Sequence, residues 1–298
     1  MSTVEHGVDL HTHSLASDGT YSPSELVYKA ASLDLSAIAL TDHDTIAGLD
    51  EAVEAASSAG IELIPGVELS IEDGEDRRFH LLSYFFDRKN PQLTRVLENV
   101  RLWRSDRNSL ILERAKKEGI DLTLEDVQNE AGPDSDVLGR PHFARALVKK
   151  GLASSIQDAF DRYLASGRPL NEPKPSLSPQ AAADLLHGAG GITVIAHPGL
   201  IRWTELAGLA SYITDLKAAG VLDGIECYYF RYNENQTQFF LNLASQLDML
   251  VSGGSDFHGG NKPDVPLGNV YAGGPLPSAI LDPLREASLS LQSRSVGS

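Results

Sequence analysis

The sequence predicts an α/β fold built around parallel strands, and two observations lead to this class. Short runs rich in β-branched residues alternate along the chain with helical stretches, as in sheets whose strands are joined by crossover helices. The helices also carry start signals, namely the capping box Ser22-Pro23-Ser24-Glu25 and the serine–proline pair Ser178-Pro179. With 298 residues, 42% of them hydrophobic, the chain is long enough for one large domain or two ordinary ones.

Seven segments have the length and composition of strands. They are Val8–His13, Ala37–Thr41, Glu62–Val67, Phe79–Phe86, Ile192–Ala196, Gly224–Tyr229 and Met249–Ser252.

The alternation of strands and helices stops between about residues 90 and 174. Apolar residues there, such as Leu97, Val100, Leu110 and Ile111, recur at helical spacing. We therefore predict a helical subdomain at 91–170, inserted between the two parts of the α/β domain, 1–90 and 171–285. The serine-rich end of the chain, 286–298, is predicted to be a flexible tail.

Composition excludes several classes of function. There are 25 Lys and Arg against 41 Asp and Glu, a net charge of −16, which opposes broad adhesion to nucleic acid or to anionic membranes. An anionic substrate remains compatible, because bound divalent metals reverse the local charge. The single cysteine, Cys227, excludes an internal disulfide and a thiolate-rich metal site. No apolar run reaches ~18 residues and no secretion signal is present, so a cytoplasmic location is expected.

Most of the nine histidines lie in or just after a predicted strand. Alternate residues of a strand share a face, so Asp9, His11 and His13 are expected to point to one side. In parallel α/β barrels the strand ends converge on one rim, where active sites are built. Nine residues at such positions are candidate metal ligands: His11, His13, Asp18, His43, Glu68, His80, His197, Asp256 and His258.

This set of side chains favours particular metals. Histidine and carboxylate without cysteine suit Zn, Mn or Fe, and nine donors are too many for one tetrahedral ion. A lone His-x-His pair is more often structural, and Asp and His are also common in turns and helix caps. The ordered set at successive strand ends nevertheless predicts a site for two or three divalent ions with bridging carboxylates.

The same motifs resemble the PHP (polymerase and histidinol phosphatase) family. They are Asp9-Leu10-His11-Thr12-His13, Thr41-Asp42-His43, Gly66-Val67-Glu68, Ala196-His197-Pro198 and Ser255-Asp256-Phe257-His258. The segments HTHSLASDGTYSPSEL and GRPHFARALVKKG are similar to the stand-alone phosphoesterase branch, which includes bacterial nucleotide 3′,5′-bisphosphate phosphatases and 5′→3′ oligoribonucleases.

The resemblance implies a distorted seven-stranded (β/α) barrel with the helical insertion as a lid over the site. It also implies three groups of metal ligands. The first is His11, His13, Glu68 and Asp256; the second is Glu68, His80 and His197, with Glu68 bridging; the third is Asp18, His43 and His258.

The implied activity is that of a metal-dependent phosphoesterase. Its expected substrates are nucleotide monoesters (3′,5′-bisphosphates or nucleoside monophosphates) or the 5′ ends of short oligonucleotides. A metal-bridging hydroxide would attack phosphorus. The expected partner is thus a small phosphorylated substrate, with neither a membrane nor a long nucleic acid. Two alternative enzymes are a histidinol-phosphate phosphatase and a carbon–nitrogen hydrolase. A third alternative is a non-catalytic PHP module, either a scaffold or part of a polymerase, and the complete ligand set and the short chain disfavour both forms of it.

Substrate contacts are expected from the insertion. Arg140 and His142, in Gly139-Arg140-Pro141-His142, resemble a family motif that binds phosphate. The alternative for Arg140 is a surface ion pair, and the alternative for His142 is a helix-start residue after Pro141. Lys174 would add positive charge, although a solvated lysine explains it equally well. Tyr228 and Tyr229 end the sixth predicted strand, where packing is favoured over stacking on a base.

Overall fold

The computed structural model describes residues 7–74, 77–131, 138–165, 167–172, 176–271 and 273–295. Two compact units are present. The barrel unit comprises the chain up to Val96 and from Ser176 onward, and the helical unit comprises Leu97–Pro175.

The barrel unit is built on one sheet of eight strands. The strands are β1 (Gly7–Thr12), β2 (Ala37–Leu40), β3 (Glu62–Asp73), β4 (Arg77–Tyr84), β5 (Ile192–Ile195), β6 (Gly224–Tyr229), β7 (Leu250–Gly254) and β8 (Leu276–Pro277). Their order in the sheet is β7-β6-β5-β4-β3-β2-β1-β8. All seven predicted strands are present, and the two-residue β8 is the one the sequence did not predict.

The barrel closes between β1 and the segment that follows β7. The Asp256 N–H donates to the His11 carbonyl at 2.8 Å, and the His13 N–H donates to the Phe257 carbonyl at 2.9 Å. Because these bonds join the carboxyl end of β1 to the residues after β7, motifs from opposite ends of the sequence meet at one rim. The predicted α/β barrel is thereby confirmed, with eight strands in its sheet rather than the expected seven.

Strand β4 runs antiparallel to both of its neighbours, β3 and β5, which differs from the predicted parallel arrangement. Only three residues separate Asp73 from Arg77, and a connection this short joins antiparallel strands, whereas a parallel pair needs a crossover of a dozen residues or more. The reversal explains why His80 comes from early in its strand. It pairs with Ser70, just beyond Glu68 on β3.

Ten α-helices are assigned in the described residues. They are α1 (Pro23–Ser32), α2 (Leu49–Ala59), α3 (Pro91–Lys117), α4 (Leu124–Ala131), α5 (Arg140–Lys149), α6 (Ile156–Ala159), α7 (Pro179–Gly188), α8 (Leu206–Ala218), α9 (Glu234–Gln246) and α10 (Leu281–Ser295). A π-helical turn, Phe160–Leu164, follows α6. Among the described helices, none has both the length and the apolar composition needed to cross a membrane.

The structure describes both predicted helix starts and, up to residue 295, the last helix of the chain. Both predicted starts are confirmed, because Ser22 and Glu25 form the reciprocal bonds of a capping box and Ser178 caps α7. The expected flexible tail is wrong for residues 286–295, which continue α10. Leu284 and Ser288 are buried, and the Ser288 hydroxyl donates to the Gly190 carbonyl at 2.9 Å. Apolar residues at helical spacing outweigh the serine-rich composition there.

Each unit has an apolar core of its own. In the barrel unit, strand residues such as Val8, Tyr84 and Val194 cluster with Leu281 and Leu284 of α10. In the helical unit the core includes Ile111, Val127, Phe143, Leu147 and Leu170. Burial of this apolar surface is the main favourable contribution to folding in both units.

Candidate metal centre

All nine predicted ligands come from the barrel unit and converge on one place; most of them lie at or just after the carboxyl ends of parallel strands, whereas His80 lies early in the antiparallel β4. Three overlapping groups of donors, each with its donor atoms within 4.8 Å of one another, are present. The groups are His11 with His13, Glu68 and Asp256; His13 with Asp18, His43 and His258; and His43 with Glu68 and His80. The sequence thus identified residues that fold to one place.

Glu68 lies at the centre of this cluster, fully buried, with a different set of imidazoles facing each carboxylate oxygen. Its Oε1 is 2.8 Å from His80 Nδ1 and 3.0 Å from His197 Nε2. Its Oε2 is 3.0 Å from His43 Nδ1 and 3.3 Å from both His11 Nε2 and His13 Nε2. A carboxylate faced from two sides in this way has the geometry of a bridging ligand.

Asp18 and Asp256 flank Glu68. Asp18 lies 3.2 Å from His258 Nε2 and 3.8 Å from His43 Nε2. Asp256 Oδ1 lies 3.3 Å from His13 Nε2. His43 therefore lies near both Glu68 and Asp18, whereas the resemblance assigned it to the third group alone.

The donor atoms at the centre have the properties expected of metal ligands. Four buried atoms have no hydrogen-bond partner: His11 Nε2, both ring nitrogens of His13, and Glu68 Oε2. Buried polar atoms are normally satisfied, so several unsatisfied donor atoms within 4.8 Å of one another are suited to bind a cation. The residues present fit a divalent metal of the Zn, Mn or Fe type.

Electrostatics in the cluster support the same conclusion. Burial lowers the pKa of His11, but the carboxylates of Glu226, Glu68 and Asp256 outweigh it and hold that pKa well above its usual value. Burial likewise opposes charge on His13, but the neighbouring carboxylates of Asp256 and Glu68 raise its pKa to about 9. The carboxylates therefore attract positive charge to this buried site, which bound metal ions supply when they replace protons.

A carboxylate that the sequence analysis missed orients His11. Glu226, on β6, is fully buried and its Oε1 lies 2.8 Å from His11 Nδ1. Its Oε2 accepts a hydrogen bond from the His197 backbone N–H. A metal-binding histidine commonly donates its second ring N–H to such a carboxylate, which leaves the other nitrogen free for the metal. Glu226 thus links two ligand-bearing strands.

Asp9 and Asp42 hold the ligand loops rather than joining the cluster. Asp9 accepts from the Ser255 N–H and the Gly268 N–H, both at 2.9 Å, and so ties β1 to the segment after β7. Asp42 accepts hydrogen bonds from Ser14 and from Ser17, which fixes the loop that leads to Asp18. Burial raises the pKa of both carboxyls despite these bonds.

The backbone is strained at the same place. His197 and Asp256 have φ values of 28° and 60°, and Asp44 one of 53°, in the left-handed region that side chains other than glycine rarely adopt. Each such residue costs on the order of 1–3 kcal/mol, and strain of this kind concentrates at functional sites. Gly254 serves close packing instead, since a Cβ there would lie 2.1 Å from the Cβ of His11.

The predicted substrate-binding residues lie elsewhere in the chain. Arg140 begins α5 in the helical unit, and His142 is buried two residues later. The His142 Nδ1 accepts a hydrogen bond from the Gly139 N–H at 2.9 Å, so one ring nitrogen caps the helix. Lys174 lies outside the described residues.

Comparison with known proteins identifies the family. The PHP domain model matches residues 9–166. The chain belongs to the PHP family. A 5′-3′ exoribonuclease of Haemophilus influenzae is 39% identical over 250 residues, covering 84% of this chain and 89% of the relative. A 3′,5′-nucleoside bisphosphate phosphatase of Chromobacterium violaceum is 34% identical over 260 residues, covering 84% and 87%.

Solved structures extend the likeness over nearly the whole chain. A protein of Bifidobacterium adolescentis assigned as a metal-dependent phosphoesterase superposes with a TM-score of 0.78 at 32% identity, covering 95% of this chain and 96% of its own. A Chromobacterium violaceum protein named an amidohydrolase, solved with sulfate bound and without metal, gives a TM-score of 0.80 at 31% identity, covering 94% and 96%. The predicted PHP membership and metal-dependent phosphoesterase class are confirmed.

Proposed function

We propose that the barrel unit holds two or three divalent ions (Mn, Fe or Zn) and hydrolyses phosphate monoesters of nucleotides or the 5′ ends of short oligonucleotides. The observation that carries the proposal is the position of Glu68, whose two oxygens face five imidazoles inside a buried cluster. The ligands are the nine residues predicted from the sequence: His11, His13, Asp18, His43, Glu68, His80, His197, Asp256 and His258.

Divalent ions at such a site acidify water to make a nucleophile and neutralise charge on the phosphoryl oxygens. The protein's own part is to hold the donors in place. Glu68 spans the cluster, Glu226 fixes the ring of His11, and the bonds of Asp9 fix the loop that carries Asp256. Because these groups are positioned before substrate binds, little reorganisation accompanies the reaction.

The substrate class rests on the relatives. Two of them are named for nucleotide or RNA substrates, an exoribonuclease and a nucleoside bisphosphate phosphatase. One structural neighbour, the Chromobacterium violaceum amidohydrolase, was solved with sulfate bound, and sulfate is a tetrahedral anion like phosphate. The net charge of −16 favours small substrates, because a long RNA would be repelled outside the site.

We further propose that Arg140 and His142 contact the substrate's phosphate, together with Lys174. Arginine presents a planar set of donors that matches phosphate. The Nδ1 of His142 accepts the Gly139 N–H at the start of α5, so a contact with phosphate would be made by Nε2. The observation that would separate this role from a structural one is a rise in KM for Arg140→Lys without loss of bound metal.

A hydrolysis screen tests the proposal. Metal-reconstituted protein is incubated with adenosine 3′,5′-bisphosphate, adenosine 5′-monophosphate, a 5′-phosphorylated trinucleotide, histidinol phosphate and a simple amide. We expect turnover of the bisphosphate or the trinucleotide to exceed that of histidinol phosphate and of the amide. Preferred cleavage of histidinol phosphate or of the amide would replace the proposed substrate class, and no hydrolysis at full metal occupancy would favour a non-catalytic scaffold.

A further inference from the structure

Asp256 is held at both of its oxygens, and the two oxygens have different surroundings. Its Oδ1 faces the imidazoles, 3.3 Å from His13 Nε2 and 3.6 Å from His11 Nε2. Its Oδ2 instead accepts hydrogen bonds from the Lys262 ammonium at 2.6 Å and the Tyr229 hydroxyl at 3.0 Å. The carboxylate is almost completely buried, so this division of partners is set by the protein rather than by solvent.

A hydrogen-bonded turn places Lys262 next to Asp256. It follows the 3₁₀ turn Gly259–Asn261, whose Gly260 N–H donates to the Thr20 hydroxyl at 2.8 Å. The Asn261 amide donates to the Asp18 carbonyl at 2.7 Å, so the turn is bonded to the loop that carries another proposed ligand. Two ligand loops and Lys262 therefore form one connected structure.

The Tyr229 hydroxyl contacts the same oxygen, Asp256 Oδ2, from a different element, the end of β6. The Tyr229 side chain is buried, and its hydroxyl donates to Asp256 Oδ2. An ordinary surface ion pair does not explain this arrangement, because one partner, Asp256, has only 5% of its side chain exposed.

We propose that Lys262 and Tyr229 are positioning residues for Asp256, holding its Oδ2 away from the cluster so that Oδ1 alone faces the metal. The inference rests on the proposed metal centre. A ligand carboxylate is usually fixed by hydrogen bonds from its surroundings, and losing such a partner typically weakens metal binding or activity about 10- to 100-fold. Without these two donors, Asp256 is free to rotate about its side-chain torsions.

The test is Mn²⁺ binding to the metal-free protein, followed by electron paramagnetic resonance of free and bound Mn²⁺. Tyr229→Phe removes one hydroxyl and no charge, so we expect the Mn²⁺ that Asp256 would hold to bind about 10- to 100-fold less tightly. Lys262→Met is expected to weaken binding as well, with Lys262→Arg restoring part of the loss. The control is Arg231→Met, which breaks an exposed ion pair with Asp264 and is expected to bind Mn²⁺ like the wild type.

Two results would overturn the inference. One is wild-type Mn²⁺ affinity in both Tyr229→Phe and Lys262→Met. The other is a raised KM with unchanged Mn²⁺ binding in Lys262→Met, which would make Lys262 a substrate contact. Thermal melting of each metal-free variant separates these results from misfolding. If the wild type itself bound no Mn²⁺, the proposed metal centre would fail, and that failure is distinct from either result above.

Discussion

The buried polar groups of the two units differ. In the helical unit, buried polar side chains satisfy backbone groups: Arg107 donates to the Glu172 carbonyl, Asn108 donates to the Leu138 carbonyl, and His142 accepts from the Gly139 N–H. In the barrel unit, buried imidazoles and carboxylates face one another around Glu68, and several of their atoms have no hydrogen-bond partner.

This difference teaches how to recognise a site inside a core. A polar group that pairs with the backbone stabilises the fold and needs nothing further. Burying a cluster of charges with unsatisfied donor atoms costs free energy of folding. Such a cluster is retained where a bound ligand offsets that cost. The barrel unit has a cluster of the second kind, whereas the buried polar side chains named above for the helical unit bond to its backbone.

The first prediction concerns Glu68, at the centre of the barrel cluster. Glu68→Gln keeps the shape of the side chain but removes the charge that faces five imidazoles. We expect the rate of phosphate release to fall more than about 100-fold, and bound metal to be lost in parallel. This loss is larger than the effect of removing a residue that only hydrogen-bonds to a metal ligand. Glu72→Gln, on the same strand in the outer pair with Arg78, is the matched control. Equal activity in the two variants would contradict the account.

The second prediction concerns the helical unit, where stability depends on packing. Phe143 is completely buried in its core, so Phe143→Ala is expected to lower the free energy of unfolding by about 3–5 kcal/mol. Leu124, 46% exposed on α4, is the control, and Leu124→Ala should change stability by less than about 0.5 kcal/mol. Urea denaturation measures both. Similar losses from the two changes would show that the core has been wrongly located.

The third prediction separates a ligand from the residue that orients it. Glu226→Gln keeps an oxygen for the His197 N–H but replaces the carboxylate next to His11 Nδ1 by an amide. We expect metal affinity or activity to fall about 10- to 100-fold, less than for Glu68→Gln. Isothermal titration with Zn²⁺ measures the change. Unaltered Zn²⁺ affinity would reduce Glu226 to a structural link between strands.

The smallest effect is expected at the surface of the helical unit. Hydrogen bonds from Lys150 and Thr123 lower the pKa of Asp126 to about 2, below its ordinary value of 3.8. Because the pKa is depressed, the stabilisation is present above about pH 4 and is lost as pH falls toward 2. Asp126→Asn should therefore be slightly less stable than the wild type at pH 6, with the difference vanishing near pH 2. Melting temperatures across this range test it, and a difference that grows on acidification would refute the assignment.

Much of the fold and of the ligand set could be predicted because both depend on local patterns. Strand composition located seven strands, and the placement of His and Asp at strand ends located residues that do converge. The direction of β4 was missed because pairing direction depends on how short the connection after Asp73 is, which composition does not express. The end of α10 was missed because serine content was weighed above helical spacing.

The supporting residues of the site were harder to predict. Glu226 left one usable signal, since a lone carboxylate in the apolar run Gly224–Tyr229 is costly to bury without a partner. Lys262 and Tyr229 left none, because their link to Asp256 exists only after β6 and the turn beyond β7 come together. Contacts between distant segments are set by the fold, and a single sequence does not record them.

The central claim is that the buried cluster around Glu68 is a catalytic metal centre. Metal-free protein is titrated with Mn²⁺ while bound metal and phosphate release from adenosine 3′,5′-bisphosphate are measured in the same samples. We predict no turnover without metal and a rate that rises with occupancy until two or three ions are bound. Full activity in the metal-free protein, or saturation with Mn²⁺ that brings no hydrolysis of the bisphosphate or of a 5′-phosphorylated trinucleotide, would contradict it.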